Sequence, residues 1–175
     1  NFRCEGDLDT FLKEKGIVGM YGIDTRALTR MIREHGVMNA KLTLEKPNVP
    51  ELQKELAGFS IRHAVASVSI AKTEVLQPEE KKRKVVLWDF GAKKNIGQEL
   101  VRRGCEVVFM PQDSTADEIL AQKPDGIMLS NGPGDPQENT QVVEQLRKLC
   151  QAGVPMFGIC LGHQLLALPQ GAATE

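Results

Sequence analysis

The alternation of hydrophobic and polar positions changes rhythm once along the chain. From about residue 83 onward, short unbroken apolar runs alternate with stretches whose apolar residues recur every three or four positions. VVLWDF (85–90), EVVFMP (106–111), GIMLSN (126–131) and VPMFGI (154–159) read as strands. Between them, helices are predicted over 93–103, 115–122 and about 137–152. The first turns Ile96, Leu100 and Val101 inward, and the second has Ser114 or Thr115 as its cap. The third carries Val142, Val143, Leu146, Leu149 and Cys150 on one face. Strands that are apolar throughout, each followed by an amphipathic helix, predict an α/β fold. Its parallel sheet should have helices on both faces and right-handed crossovers.

Before that rhythm begins, the pattern is less regular. DTRALTRMIREHG (24–36) predicts a helix capped by Asp24 or Thr25 and stopped by Gly36. Its apolar face is Ala27, Leu28, Met31 and Ile32. Arg26, Arg30 and Arg33 share another face, which is either solvated or a contact for a partner or domain. ELQKELAGF (51–59) predicts a second helix and VASVSI (65–70) a strand, while PEEKKRK (78–84) reads as a charged linker. Some 80 residues with few aromatics build only a marginal core of their own. The expected organisation is therefore residues 1–82, part of a smaller mixed α+β domain plus linker, followed by the α/β unit over 83–175.

Composition narrows the function classes. The 175 residues include 22 basic and 23 acidic side chains, a formal net charge of -1. That balance offers no basic face for nucleic acid or an anionic membrane. No apolar run approaches the ~20 residues of a spanning helix, and the start does not resemble a signal peptide. The chain opens on Asn1 rather than methionine, so it is expected to be a piece of a longer protein. Cys4, Cys105, Cys150 and Cys160 form no C-x-x-C pair and no zinc spacing, which predicts no metal site and reduced thiols in a cytoplasmic compartment. Cys4, Cys105 and Cys150 are expected to be small buried apolar residues.

Ligands of such sheets bind beyond the carboxyl ends of the strands, and two strand-end loops stand out. SNGPGDP (130–136) is either a plain tight turn or a loop whose glycines let backbone N–H groups face an anionic oxygen. It has neither the P-loop pattern nor G-x-G-x-x-G. GICLGHQ (158–164) has the form of a nucleophile elbow, G-x-C-x-G between a strand and a helix. Cys160 is then the candidate nucleophile, exposed on a strained backbone at a helix N-terminus, where thiolate is favoured. The Leu161 N–H is placed to stabilise an oxyanion. The competing reading is a buried cysteine at a glycine-rich strand end. His163 lies three residues on, but an elbow aims its nucleophile away from the following helix, so a structural histidine is the better reading.

GICLGHQLLAL and LSNGPGDP together resemble the class I glutamine amidotransferases. With GIDTRALTRMIREHG and VVLWDFGAKKNI in the same order along the chain, they resemble more narrowly the small, glutamine-hydrolysing subunits of carbamoyl-phosphate synthases. The resemblance implies that Cys160 attacks the side-chain amide of L-glutamine, forming a thioester and releasing ammonia. It implies that Leu161 and Gly132 supply oxyanion N–H groups and that Gly134 and Gln164 hold the glutamine. Ammonia would pass to a large-subunit partner, which carries ATP and Mg and makes carbamoyl phosphate for arginine and pyrimidine synthesis. No cofactor is expected in this chain. The histidine and glutamate of the family's His-x-Glu arrangement have no counterpart before Glu175, so the chain alone is expected to be inactive. The alternatives are a glutaminase subunit of another class I amidotransferase, or a non-catalytic binding module that retains the elbow. Pro169 should end the elbow helix early.

Overall fold

The computed structural model describes residues 6–172. The chain forms two compact units, divided between Phe59 and Ser60. The first compact unit therefore ends well before the change of rhythm near residue 83, and residues 60–82 belong to the unit that holds the sheet.

The first unit contains α1 (Leu8–Glu14), α2 (Thr25–His35) and α3 (Val49–Gly58). Local signals set these helices. The Asp7 carboxylate accepts from the Thr10 N–H and the Asp24 carboxylate from the Ala27 N–H, each satisfying a donor of the open first turn. Gly36 ends α2 at a positive φ of 80°. None of these helices has a buried residue. Leu28, Met31 and Ile32, the predicted inward face of α2, are each more than 40% exposed.

The second unit is built on a five-stranded sheet. Its strands are β1 (Glu74–Leu76), β2 (Arg83–Trp88), β3 (Cys105–Met110), β4 (Gly126–Leu129) and β5 (Met156–Gly158), in the order β1-β3-β2-β4-β5. The helices α4 (Ala64–Val68), α5 (Lys94–Arg102), α6 (Ala116–Ala121), α7 (Thr140–Gln151) and α8 (Leu161–Ala167) surround it. The four predicted strands pair in parallel, with Val85 to Trp88 opposite Val107 to Met110 on one side and Gly126 to Leu129 on the other. Both faces are covered, as a parallel sheet requires. Val86, Trp88, Val108, Met110, Ile127 and Leu129 share one face and one core with Ile119, Val142, Leu146, Leu149 and Leu165. Leu87 and Val107 point to the other face and are fully buried. There α5 packs so closely on β3 that a side chain at Gly97 would overlap the Phe109 ring.

Four expectations are corrected. The sheet is not wholly parallel, because β1 pairs antiparallel with β3 at the edge; its three residues are too few to show a period. VASVSI is not a strand. Ala64 and Val65 are buried, the Ser67 hydroxyl donates to the Ala64 carbonyl, and the segment turns into α4 instead. PEEKKRK is not a free linker either. The Lys82 N–H bonds the Gly104 carbonyl at 2.8 Å, and Lys81 and Lys84 clamp the carboxylate of buried Glu106 at 2.9 and 3.2 Å. The hydrogen bonds from Lys81 and then Lys84 hold that carboxyl well below the usual range, at about 2. Cys105 and Cys150 are half-buried rather than fully buried, and Cys4 lies outside the described residues. The early stop is as expected: α8 ends at Ala167, before Pro169.

Candidate functional site

After β2 the chain continues to β3 on one side, and β4 then joins on the other. Such a reversal of strand order opens a crevice beyond the carboxyl ends of the strands. The loops that follow β2 and β4 meet there, next to the turn from β5 into α8.

That turn is a strained elbow. Cys160 has φ 51° and ψ −113°, a conformation rarely adopted by a residue with a side chain, and it is the N-cap of α8. Its thiol is free and exposed, which removes the buried-cysteine reading. Its carbonyl accepts from the N–H groups of His163 and Gln164 and so starts the helix. Glycine is required on both sides of it. A Cβ at Gly158 would lie 2.5 Å from the backbone of Gly162 and His163, and one at Gly162 would lie 2.5 Å from the Leu129 carbonyl oxygen. With both side chains absent, α8 docks on the end of β4, where the Gly162 N–H donates to the Ser130 carbonyl at 3.1 Å.

The β4 loop reaches the elbow at Gly132. A side chain there would overlap the Phe90 carbonyl oxygen and come within 2.7 Å of Leu161 Cδ2. The Gly132 backbone is thus wedged between the end of β2 and the first side chain of α8. The Leu161 side chain is buried, while its N–H, at the open end of the helix, has no hydrogen-bond partner among the described residues. The Gly132 N–H is unpartnered in the same sense.

The remaining predicted residues lie less close together. Gln164 is exposed one turn along α8. Gly134, at φ 85°, sits against Ala64 and lines a cleft of about 680 Å³ with His63, Asp135 and Gln141; neither Cys160 nor Leu161 lines it. His163 is exposed, and among the described residues no hydrogen bond joins an imidazole to Cys160. The described residues contain no cluster of His, Cys, Asp or Glu suited to a metal ion, and no helix among them is long and apolar enough to cross a membrane.

Sequence reasoning missed the groups that hold the loops. Asp89 is buried, and its carboxylate accepts from the N–H groups of Ile70, Gly91 and Ala92 at 2.6–3.0 Å. Ser130 is fully buried and accepts from the Phe90 N–H at 2.8 Å. The Asn131 amide bonds both Gly91 and Lys93. Two signals were available: an aspartate closing an otherwise apolar strand, and short polar residues, which bond backbone readily, directly before a glycine loop.

The chain belongs to the class I glutamine amidotransferases: the family described as "Glutamine amidotransferase class-I" matches residues 86–175, which run from within β2 past α8 and take in both loops. Residues 1–42 match a second family, "Carbamoyl-phosphate synthase small chain, CPSase domain". Among curated relatives, the chain is 49% identical over 175 residues to a carbamoyl phosphate synthase small chain of Listeria monocytogenes, covering 99% of this chain and 47% of the relative. It is 46% identical to the pyrimidine-specific small chain of Halalkalibacterium halodurans, covering 100% of this chain and 48% of the relative. The chain thus spans about half the length of the curated relatives it matches. A crystal structure of a Thermoplasma acidophilum protein, assigned to GMP synthase, aligns over 54% of this chain and 48% of its own, with TM-score 0.45 and 26% identity.

Proposed function

We propose that the chain is part of the small, glutamine-hydrolysing subunit of a carbamoyl-phosphate synthase. The observation that carries this reading is the strained Cys160 at the head of α8, with the unpartnered N–H groups of Leu161 and Gly132 beside it. The names of the relatives and the match of residues 1–42 to the small-chain family support the narrower assignment.

In this mechanism the Cys160 thiolate attacks the side-chain amide carbon of L-glutamine. A C–S bond forms, and the carbonyl oxygen becomes an oxyanion held by the N–H groups of Leu161 and Gly132. The C–N bond breaks as the nitrogen takes up the proton that the thiol gave up on ionising, and ammonia leaves. Water then cleaves the thioester to give glutamate and the free thiol. The strain at Cys160 and the glycines around it keep the thiol clear of neighbouring side chains, so the substrate can approach it. Gly134 and Gln164 are assigned to the glutamine. Ammonia goes to a large-subunit partner in the cytoplasm, which carries ATP and Mg and makes carbamoyl phosphate for arginine and pyrimidine synthesis. No cofactor is assigned to this chain.

The test is Cys160→Ser in the complete protein that carries this chain, assayed with its synthetase partner. Carbamoyl phosphate formation from glutamine should be lost, while formation from free ammonia stays at the unmodified level. Equal loss of both would remove Cys160 as the glutaminase nucleophile.

A further inference from the structure

We propose that Ser130 and Asn131 are positioning residues that aim the Gly132 N–H at the reacting carbonyl; this deepens the glutaminase reading and rests on it. A single peptide unit is at issue. The carbonyl of Asn131 and the N–H of Gly132 belong to the same planar group and point in opposite directions. The Ser130 hydroxyl donates to the Asn131 carbonyl oxygen at 2.7 Å. That bond fixes one end of the peptide, and planarity then fixes the direction of the other. The hydroxyl cannot swing away, because Ser130 is fully buried and its oxygen also accepts from the Phe90 N–H at 2.8 Å.

The Asn131 side chain removes the remaining freedom. Its Oδ1 accepts from the Lys93 N–H at 3.1 Å and its Nδ2 donates to the Gly91 carbonyl at 3.0 Å. Both partners lie on the loop after β2, so the amide straps the β4 loop to the β2 loop across the crevice. The strap has a firm anchor, since Asp89 holds Gly91 and Ala92 by their N–H groups. Gly132 itself is confined between the Phe90 carbonyl and Leu161 Cδ2. These four hydrogen bonds and the close approach at Gly132 hold the peptide from both sides, while the Gly132 N–H has no partner among the described residues. An oriented donor with no ground-state partner is what stabilises charge that appears only in the transition state.

The experiment uses Ser130→Ala and Asn131→Asp in the complete protein. Three quantities are read: kcat and KM for glutamine hydrolysis, and the rate at which iodoacetamide alkylates Cys160. Alkylation passes through no oxyanion, so it reports the thiol without the donor. Loss of a positioned oxyanion donor lowers kcat by about 100-fold or more, and a misaimed donor should lose at least about 10-fold. We expect kcat to fall by that amount in Ser130→Ala, with KM within about twofold and alkylation unchanged, the pattern of an interaction made only in the transition state. Asn131→Asp keeps the acceptor for Lys93 but sets a carboxylate oxygen against the Gly91 carbonyl, and should show the same pattern with a smaller loss. An unchanged kcat, or kcat and alkylation falling together, overturns the proposal. If Ser130→Ala does not fold, Asn131→Asp decides by the same criteria. If Cys160→Ser abolishes hydrolysis while both variants keep full kcat, the positioning role alone is wrong. If Cys160→Ser still hydrolyses glutamine, the failure belongs to the reading of the site.

Discussion

Residues 6–59 and residues 60–172 form helices equally well and build cores very differently. In the first region α2 has a carboxylate cap, an amphipathic sequence and a glycine stop, yet no residue of α1, α2 or α3 is buried. In the second, Trp88, Leu129, Leu146 and Leu149 are completely buried. The difference teaches that caps and periodicity specify a helix and the face it would bury, whereas a core needs partners from distant parts of the chain. The second region gains them from its sheet, whose strands draw residues about 20 to 40 positions apart into register. The strained backbone at Cys160 sits in the region that can hold strain, because such a conformation persists only where its surroundings over-determine it.

Substitutions can break this comparison, and truncating core side chains should have the largest effect. Leu146→Ala should cost about 2–5 kcal/mol, the usual range for a fully buried leucine, read by urea unfolding with Trp88 fluorescence. Met31→Ala on α2 should cost less than about 1 kcal/mol by hydrogen exchange, since its side chain is already 46% exposed. Similar losses at both positions would mean that the first region has a core of its own.

Next comes the close approach at the elbow. Gly162→Ala places a Cβ 2.5 Å from the Leu129 carbonyl and should cost about 1–3 kcal/mol while slowing alkylation of Cys160. In the first region Gly36→Ala meets open space, so its cost should be only the strain of a backbone at φ 80° and ψ −152°, about 1–3 kcal/mol, with alkylation of Cys160 unchanged. Alkylation of Cys160 at the unmodified rate in Gly162→Ala would show that α8 is not seated on β4.

Local caps should make the two regions look alike. Thr115 closes a capping box with Glu118, and Asp24 caps α2. Thr115→Ala and Asp24→Ala should each cost about 1 kcal/mol of helix stability by hydrogen exchange. A much larger loss for either would show that the cap also carries tertiary contacts.

The smallest expected effect is a pH dependence in the second region. Glu106 has its carboxyl lowered to about 2 by Lys81 and Lys84. A lowered folded-state value means that its stabilisation is complete above the ordinary glutamate pKa of about 4.3 and fades as pH falls from there toward 2. Glu106→Gln should flatten that slope in Trp88-monitored unfolding. A slope that survives the substitution assigns it to other carboxylates.

Much of this was legible in the sequence. The strand and helix rhythm after residue 83 held, because a strand buried on both faces is apolar throughout and shows it plainly. The elbow was legible too, since G-x-C-x-G between a strand and a helix allows few geometries. What escaped depends on pairing across the fold. VASVSI alternates like a strand, but of its residues only Val65 is buried in the core. PEEKKRK reads as solvated until Glu106 is found beside it. Ser130 and Asn131 look like turn residues until their partners, 38 to 40 positions away, are known.

The most direct test of the account is to trap the covalent intermediate. The complete protein is incubated with isotopically labelled glutamine, quenched in acid and digested, and the peptides are examined by mass spectrometry. A labelled glutamyl group is expected on the peptide bearing Cys160 and should be absent from Cys160→Ser. Glutamine hydrolysis with no label at Cys160, or with label on another residue, would contradict it.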